Sequence, residues 1–163
     1  MRETGDVPFF SGRPMDTCSL KDEEMAMRVL PRGARIVTIE EARENLPKVT
    51  RWLAELQAMS DEAHDLTEEL EVLLESLQPE NEHVVEVAEH LAQLVTHWQH
   101  TTAKIEATGT RIACLEPGRL EWYGVVDEHL ALYSWSLGEE DIEWYHPIAV
   151  SYTHLTLPTI SCV

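Results

Sequence analysis

The stretch VTRWLAELQAMSDEAHDLTEELEVLLESL, residues 49–77, decides the fold of this chain. Its apolar side chains recur at alternating steps of three and four residues: Val49, Trp52, Leu56, Met59, Ala63, Leu66, Leu70, Leu73 and Leu77. After Pro79 the same spacing returns in Val84, Val87, Leu91, Leu94, Trp98, Thr101 and Ile105. This period places each set on one stripe of a helix, which is the pattern of a coiled-coil seam. The two sets therefore predict two long helices.

The connection between the two helices is the short segment Gln-Pro-Glu-Asn, residues 78–81. A connection of this length makes the helices antiparallel neighbours. Pro79 suits the first position of a helix, so we predict a second helix from about Glu80 to Thr108. Gly109 supplies its left-handed stop.

The first helix has a recognisable start. Thr38 is a suitable cap, and Glu41 three residues later completes a capping box. Pro47 lies inside this helix and predicts a kink near residues 45–46, because it removes one backbone donor and crowds the preceding turn. An extended lead-in, Arg35–Val37, precedes the cap.

The remainder of the chain predicts a small antiparallel sheet. The expected strands are Arg111–Leu115, Arg119–Tyr123 with its end at Gly124, Leu130–Trp135 and Ile142–Tyr145. Leu130–Trp135 is apolar on both faces, which is typical of a central strand. Ala88, Val95 and Thr102 widen the apolar stripe of the second helix, so we expect that helix to cover the sheet. The predicted fold class is α+β, a long antiparallel, coiled-coil-like helical hairpin packed on a small antiparallel β-meander.

Three segments are expected along the chain. Residues 1–33 have no sustained period and predict a poorly structured N-terminal extension. Residues 34–150 predict a single domain made of the hairpin and the meander. Residues 151–163, SYTHLTLPTISCV, resemble a translated sequencing adaptor, and we interpret them as an artefactual tail.

The charge is strongly negative. There are 30 Asp and Glu against 12 Lys and Arg, a formal net charge of −18. This balance argues against nucleic acid and against anionic membranes as partners. Residues 52–103 contain twelve Asp and Glu and no Lys or Arg. We interpret them as a solvated outer face, with a docking surface for a basic partner as the alternative. Residues 1–6 lack the apolar core of a signal peptide, so we expect a cytoplasmic protein.

Several short motifs together carry a resemblance. They are Thr38–Ala42, Leu46-Pro47, Gly118-Arg119-Leu120-Glu121-Trp122-Tyr123-Gly124, and Trp135–Glu139 followed by Ile142, Tyr145 and His146. With these motifs, residues from about 35 to 146 resemble the bacterial family domain of unknown function 2203. The resemblance implies domain boundaries but no activity. The chain departs from the family pattern with Ala113-Cys114 in place of a Lys-Asp pair, with Glu121 in place of Asp, and with Ser134 in place of Cys. It also lacks a Gly-rich segment with an Arg after His146.

The first candidate site consists of Glu121, Glu139 and His146 among aromatic residues of the predicted meander. Carboxylate and imidazole groups together can act as acid and base, or Glu139 and His146 can bind a divalent metal. Glu139 and His146 flank one turn, so we expect them to approach each other. The alternative is that Glu139 is a solvated turn residue and His146 merely ends a strand.

The second candidate site lies on the second helix, where His83, His90 and His97 recur every seven residues. Glu86 and His90 are four residues apart, and His97 and His100 are three apart; both spacings can share a metal. The apolar seam offers no buried carboxylates to complete such a site, so exposed histidines are the alternative. We also consider pH sensitivity, because histidine changes charge near neutral pH.

These observations predict an interaction or assembly module, either a homo-oligomer or a protein that binds another protein. The alternative is a small metal-binding protein or enzyme that uses the Glu and His residues of the meander. A divalent metal is the one cofactor that the sequence suggests.

Overall fold

The computed structural model describes residues 7–8 and 30–148. Its elements, in chain order, are β1 (Val7–Pro8), α1 (Ile39–Ser76), α2 (Glu82–Ala107), β2 (Thr110–Cys114), β3 (Arg119–Val126), β4 (His129–Ser136) and β5 (Trp144–Pro147). Two long helices followed by an antiparallel sheet confirm the predicted α+β class. The chain divides into two compact units, one formed by Lys48–Ala107 and the other by the segments before and after it.

Most of the predicted N-terminal extension and all of the predicted artefactual tail lie outside the described residues. The interpretation of both segments therefore stays a prediction.

The start of α1 is the predicted capping box. The Glu41 N–H donates to Thr38 Oγ1 at 3.1 Å, and the Thr38 N–H donates to Glu41 Oε2 at 2.9 Å. These two bonds satisfy backbone donors that a helix start otherwise leaves unpaired. Pro47 lies inside the helix, which continues as one element to Ser76. The kink near residues 45–46 stays a prediction.

The start of α2 differs from the prediction. The helix begins at Glu82, two residues later than expected, because Asn81 rather than the segment around Pro79 provides the cap. Asn81 Oδ1 accepts a hydrogen bond from the His83 N–H at 3.0 Å, and the Asn81 carbonyl accepts one from the Val85 N–H at 3.0 Å. Gly109 has φ +82°, so it forms the predicted left-handed stop after Ala107.

The α1 side of the seam is mostly buried from Val49 to Met59 and half-buried toward the tip of the hairpin. Val49, Leu56 and Met59 of the predicted seam are buried, as is the neighbouring Leu53, whereas Trp52 and the seam positions from Ala63 to Leu77 are half-buried. In α2 the buried residues are Val84, Val87, Leu94, Thr101 and Ile105. Contacts between His97 and Glu55, and between His83 and Glu69, place the helices as antiparallel neighbours. The coiled-coil character of their packing stays a prediction.

The widened stripe of α2 is mostly exposed. Ala88 and Val95 are exposed, with 47% of Val95 accessible, and only Thr102 is half-buried. The packing of these positions on the sheet therefore stays a prediction. The sequence pattern identified an apolar surface but not whether anything lies on it.

The sheet has the strand order β1-β5-β4-β3-β2, and every neighbouring pair of strands is antiparallel. β4 is the central strand, and its residues 130–135 are all buried, as predicted. Beyond the start of β2, Ile36 pairs with Tyr123 in a parallel bridge, and the Val37 N–H donates to the Tyr123 carbonyl at 2.9 Å. The predicted lead-in thus extends the edge of the sheet.

β3 does not end at Gly124 but continues to Val126. A Cβ at position 124 would overlap the Tyr133 ring from β4. Glycine is therefore present for space, not as a stop. The connection to β4 is a two-residue turn in which Asp127 and Glu128 have φ +49° and +63°. Two successive positive φ angles are typical of the type I′ hairpin turn.

β5 starts at Trp144 instead of Ile142, because Asp141 and Ile142 form hydrogen bonds with Arg43 of α1 and, among the described residues, not with a strand. Arg43 Nε donates to Asp141 Oδ1 at 3.1 Å, and Arg43 Nη2 donates to the Ile142 carbonyl at 3.0 Å. The Ile142 N–H donates to Asp141 Oδ1 at 2.8 Å. With these groups engaged, Ile142 is held as a fully buried side chain outside the strand.

Burial raises the pKa of the Tyr133 phenol above its usual value; a hydrogen bond with the Val125 backbone lowers this pKa, and the charge of Glu40 raises it. The unfolded chain ionises first, above about pH 10, so this tyrosine contributes stability that is lost as pH rises. We expect Tyr133→Phe to show a smaller loss of unfolding free energy between about pH 9 and about pH 11 than the wild type. Urea unfolding at the two pH values measures this. Equal losses in both proteins would contradict it.

Candidate functional site

Glu121 is a buried carboxylate in the middle of β3, with 1% of its surface exposed. It lies opposite Arg111 of β2 and opposite Ser134 of β4, and Ser134 in turn lies opposite Trp144 of β5. Directly paired residues of neighbouring strands project on the same face of a sheet. One row across this face therefore contains a cation, an anion, a hydroxyl and an indole.

Two guanidinium groups flank the Glu121 carboxylate. Arg119 Nε lies 3.6 Å from Oε1, and Arg111 Nη1 lies 3.9 Å from Oε2. Each arginine makes its shorter bond to a hydroxyl, Arg119 Nε to Ser134 Oγ and Arg111 Nη1 to Tyr123 Oη, both at 3.1 Å. Glu121 Oε1 is buried with no hydrogen-bond partner among the described residues. The carboxylate is thus held by charge more than by hydrogen bonds.

A β-bulge brings Arg111 to this site. From the turn, Cys114 pairs with Arg119, but the register shifts between Cys114 and Ile112, so that Ile112 pairs with Leu120. Without the shift, Ile112 would lie opposite Glu121 and the arginine would project on the other face. The bulge also places Thr110 opposite Trp122, where the indole Nε1–H donates to Thr110 Oγ1 at 2.8 Å.

Glu139 closes the turn after β4. Its Oε2 accepts a hydrogen bond from the Ser136 N–H at 2.8 Å, and its own N–H donates to the Ser136 carbonyl at 3.1 Å. The Glu139 carbonyl accepts a bond from Trp135 Nε1 at 3.0 Å. These contacts bind Glu139 to the end of β4 that carries Ser136.

His146 lies on β5, beside a different part of β4. It pairs with Leu132, which is four residues from Ser136, a rise of about 13 Å along β4. His146 is half-buried and projects on the same face as Glu121, but two strands away. The structure therefore brings Glu121 together with Arg111 and Arg119, whereas Glu139 bonds to the end of β4 at Ser136 and His146 pairs with the middle of β4 at Leu132. The catalytic and metal-binding roles of these residues stay predictions.

The histidines of α2 have carboxylate neighbours on α1. His83, His90 and His97 contact Glu69, Glu62 and Glu55, respectively. Glu86 lies beside His83, with 3.8 Å between Glu86 Oε2 and His83 Nδ1. Within the described residues, no group of three or more His, Cys, Asp and Glu side chains is arranged to hold a metal ion. Metal binding by Glu86, His90, His97 and His100 stays a prediction.

The residues matched by a family model extend across both units. The model of an uncharacterized conserved protein family, DUF2203, matches residues 35–154. The chain belongs to this family. The DUF2203 match begins where the sequence resemblance begins and extends eight residues beyond His146, into the first part of the segment interpreted as an artefactual tail. No curated protein and no solved structure gives a match. No helix in the described part of this DUF2203 protein is long and apolar enough to cross a membrane.

Sequence reasoning found Glu121 but missed the two arginines that flank it. The position of Arg119 beside Glu121 could have been predicted, because residues two apart on a strand project on the same face. The position of Arg111 could not have been predicted, because it depends on the bulge. In this DUF2203 protein Arg111, Arg119 and Glu121 have a formal net charge of +1, and the two arginines bond to hydroxyl groups of β3 and β4.

Proposed function

We propose that this protein is an assembly module that self-associates through the α1–α2 hairpin. The observation that carries the proposal is a second apolar stripe on α2, formed by Val85, Ala88, Ala92 and Val95. These residues follow one another at steps of three, four and three, so they lie on one side of the helix. All four are exposed, with 40% of Val85 and 47% of Val95 accessible.

This α2 stripe carries no charge, although the segment around it is highly acidic. The next positions along the same line, Gln99 and Thr102, are also uncharged. Near the tip of the hairpin, Val72 and Leu74 of α1 are exposed as well. Exposed apolar side chains that line up along a helix are typical of a contact surface, whereas scattered ones are ordinary.

A second copy of the chain is the occupant that fits this surface best. A two-fold axis would place one uncharged stripe against the other, and the acidic residues would remain outside. A second hairpin would also cover Leu66, Leu70 and Leu73, which two helices alone leave half-buried. A basic partner fits this surface less well, because the stripe itself has no carboxylate for it to bind.

The acidic charge opposes this association. Each hairpin has twelve Asp and Glu and no Lys or Arg in residues 52–103. Added salt screens the repulsion between the two copies, so self-association should strengthen as salt increases. The stripe extends only about 15 Å along the helix, which favours a weak, reversible contact. The cytoplasmic location expected from the sequence is part of this proposal.

Sedimentation equilibrium of the full chain at about 50 mM and about 500 mM salt tests the proposal. We expect a dimer that strengthens with salt and that Val95→Glu weakens at least about tenfold, because it buries an unpaired charge. Gln93→Glu is the matched control: it adds the same charge to an exposed position of α2 off the stripe, and should leave the dimer largely intact.

Three results would overturn the proposal. The first is a monomer at millimolar concentration and both salt levels. The second is equal weakening by the two glutamate variants. The third is an association that salt weakens, which would indicate attraction between opposite charges.

A further inference from the structure

Three contacts between histidine and glutamate join α1 and α2. The distances from His Nε2 to Glu Oε1 are 3.5 Å for His83 and Glu69, 3.0 Å for His90 and Glu62, and 3.0 Å for His97 and Glu55. Successive contacts are seven residues apart on both helices, and residue numbers rise along α2 as they fall along α1, because the helices are antiparallel. These three pairs, the His–Glu ladder, follow one edge of the seam from the tip of the hairpin toward its base.

The ladder is exposed enough to exchange protons with solvent. Its imidazoles are 51–55% exposed, and its carboxylates are 40–48% exposed. The groups that face the imidazoles are acidic: Glu55, Glu62 and Glu69 from α1, and Glu86 from α2 itself. Arg51 and Lys104 are the nearest basic residues in sequence, and both lie beyond the last contact.

We propose that the ladder is a pH-sensitive clasp that closes the hairpin as the surroundings become more acidic. A histidine ordinarily takes up a proton between pH 5 and 8, whereas a glutamate stays ionised there. Protonation turns each contact into an ion pair between the helices. It also removes repulsion: residues 52–103 contain twelve acids and five histidines, so full protonation changes their charge from −12 to −7.

The sign of the effect follows from this arrangement. Each protonated imidazole lies beside a carboxylate of the other helix in the closed hairpin, so the clasp contributes stability in acid that is lost as pH rises. Three exposed pairs should raise the midpoint of thermal unfolding by about 3 °C between about pH 8 and about pH 6. A second consequence rests on the proposed function: the less negative hairpins should self-associate more strongly at the lower pH.

Thermal unfolding of the dilute full chain at the two pH values tests the clasp without depending on self-association. We expect the rise in the wild type and its loss in His83→Gln/His90→Gln/His97→Gln. His64→Gln/His100→Gln is the matched control, because it removes two histidines outside the ladder; His64 contacts Glu68 on its own helix. This control should keep most of the rise, because the three contacts between the helices remain.

A second variant keeps the test decisive if the first folds poorly. Glu55→Gln/Glu62→Gln/Glu69→Gln retains the imidazoles but removes their partners, and should also lose the rise. A flat wild type, or a rise that survives both ladder variants, would overturn the proposal. Sedimentation at the two pH values is read separately, so a monomer with a working clasp contradicts only the proposed function.

Discussion

Gly124→Ala should lower the free energy of unfolding by about 3 kcal/mol, the most that overpacking usually costs. Gly124 is not at a positive φ, so alanine has no backbone penalty there and has a better strand propensity than glycine. The loss comes from space alone. The new methyl group would overlap Cζ, Cε2 and Oη of Tyr133, a fully buried ring on the central strand. Urea unfolding followed by tryptophan fluorescence measures the change.

A double-mutant cycle identifies the ring as the cause. Tyr133→Ala alone should cost about 3–5 kcal/mol through the cavity it creates. With the ring removed, Gly124→Ala should add almost nothing, so the two changes should couple by about 3 kcal/mol. Gly138→Ala is the control: Gly138 has φ +102° and no atom near its missing Cβ, so it reports backbone strain alone. Additive effects at positions 124 and 133 would contradict the argument.

Gly124 also illustrates what the sequence could and could not predict. A glycine after an apolar run is a reasonable strand end, and only the register of β3 and β4 reveals that Tyr133 needs its space. The same holds for α2, where the local preference of Pro79 competed with the cap at Asn81, and the cap determined the start. Period and capping motifs act over a few residues, so they predicted both helices and the Thr38 cap correctly.

The candidate sites depended on longer-range information. The stripe of histidines on α2 followed from spacing, but its partners Glu55, Glu62 and Glu69 required the pairing of two helices. Arg111 required a bulge that has no clear signal in the sequence, since Ile112 and Ala113 are ordinary strand residues. Residues brought together by one element were predictable; those brought together by register between elements were not.

Replacing both arginines of the buried cluster, Arg111→Gln/Arg119→Gln, should destabilise the protein by about 3 kcal/mol or more. Glu121 is 1% exposed, and its Oε1 has no hydrogen-bond partner among the described residues, so its charge would lose the groups that compensate for burial. Urea unfolding measures the loss. Arg35→Gln is the control, because the Arg35–Glu41 pair is about half exposed and should contribute less than about 1 kcal/mol.

The reverse change should be mild, and this asymmetry is the sharper part of the prediction. Glu121→Gln removes the buried charge, while Arg111 and Arg119 keep 55% and 29% of their side chains in contact with solvent. Each guanidinium also keeps its bond to a hydroxyl. Adding Glu121→Gln to the double arginine variant should therefore restore most of the lost stability. If the triple variant is as unstable as the double one, the arginines stabilise the protein through packing and not by offsetting the buried charge of Glu121.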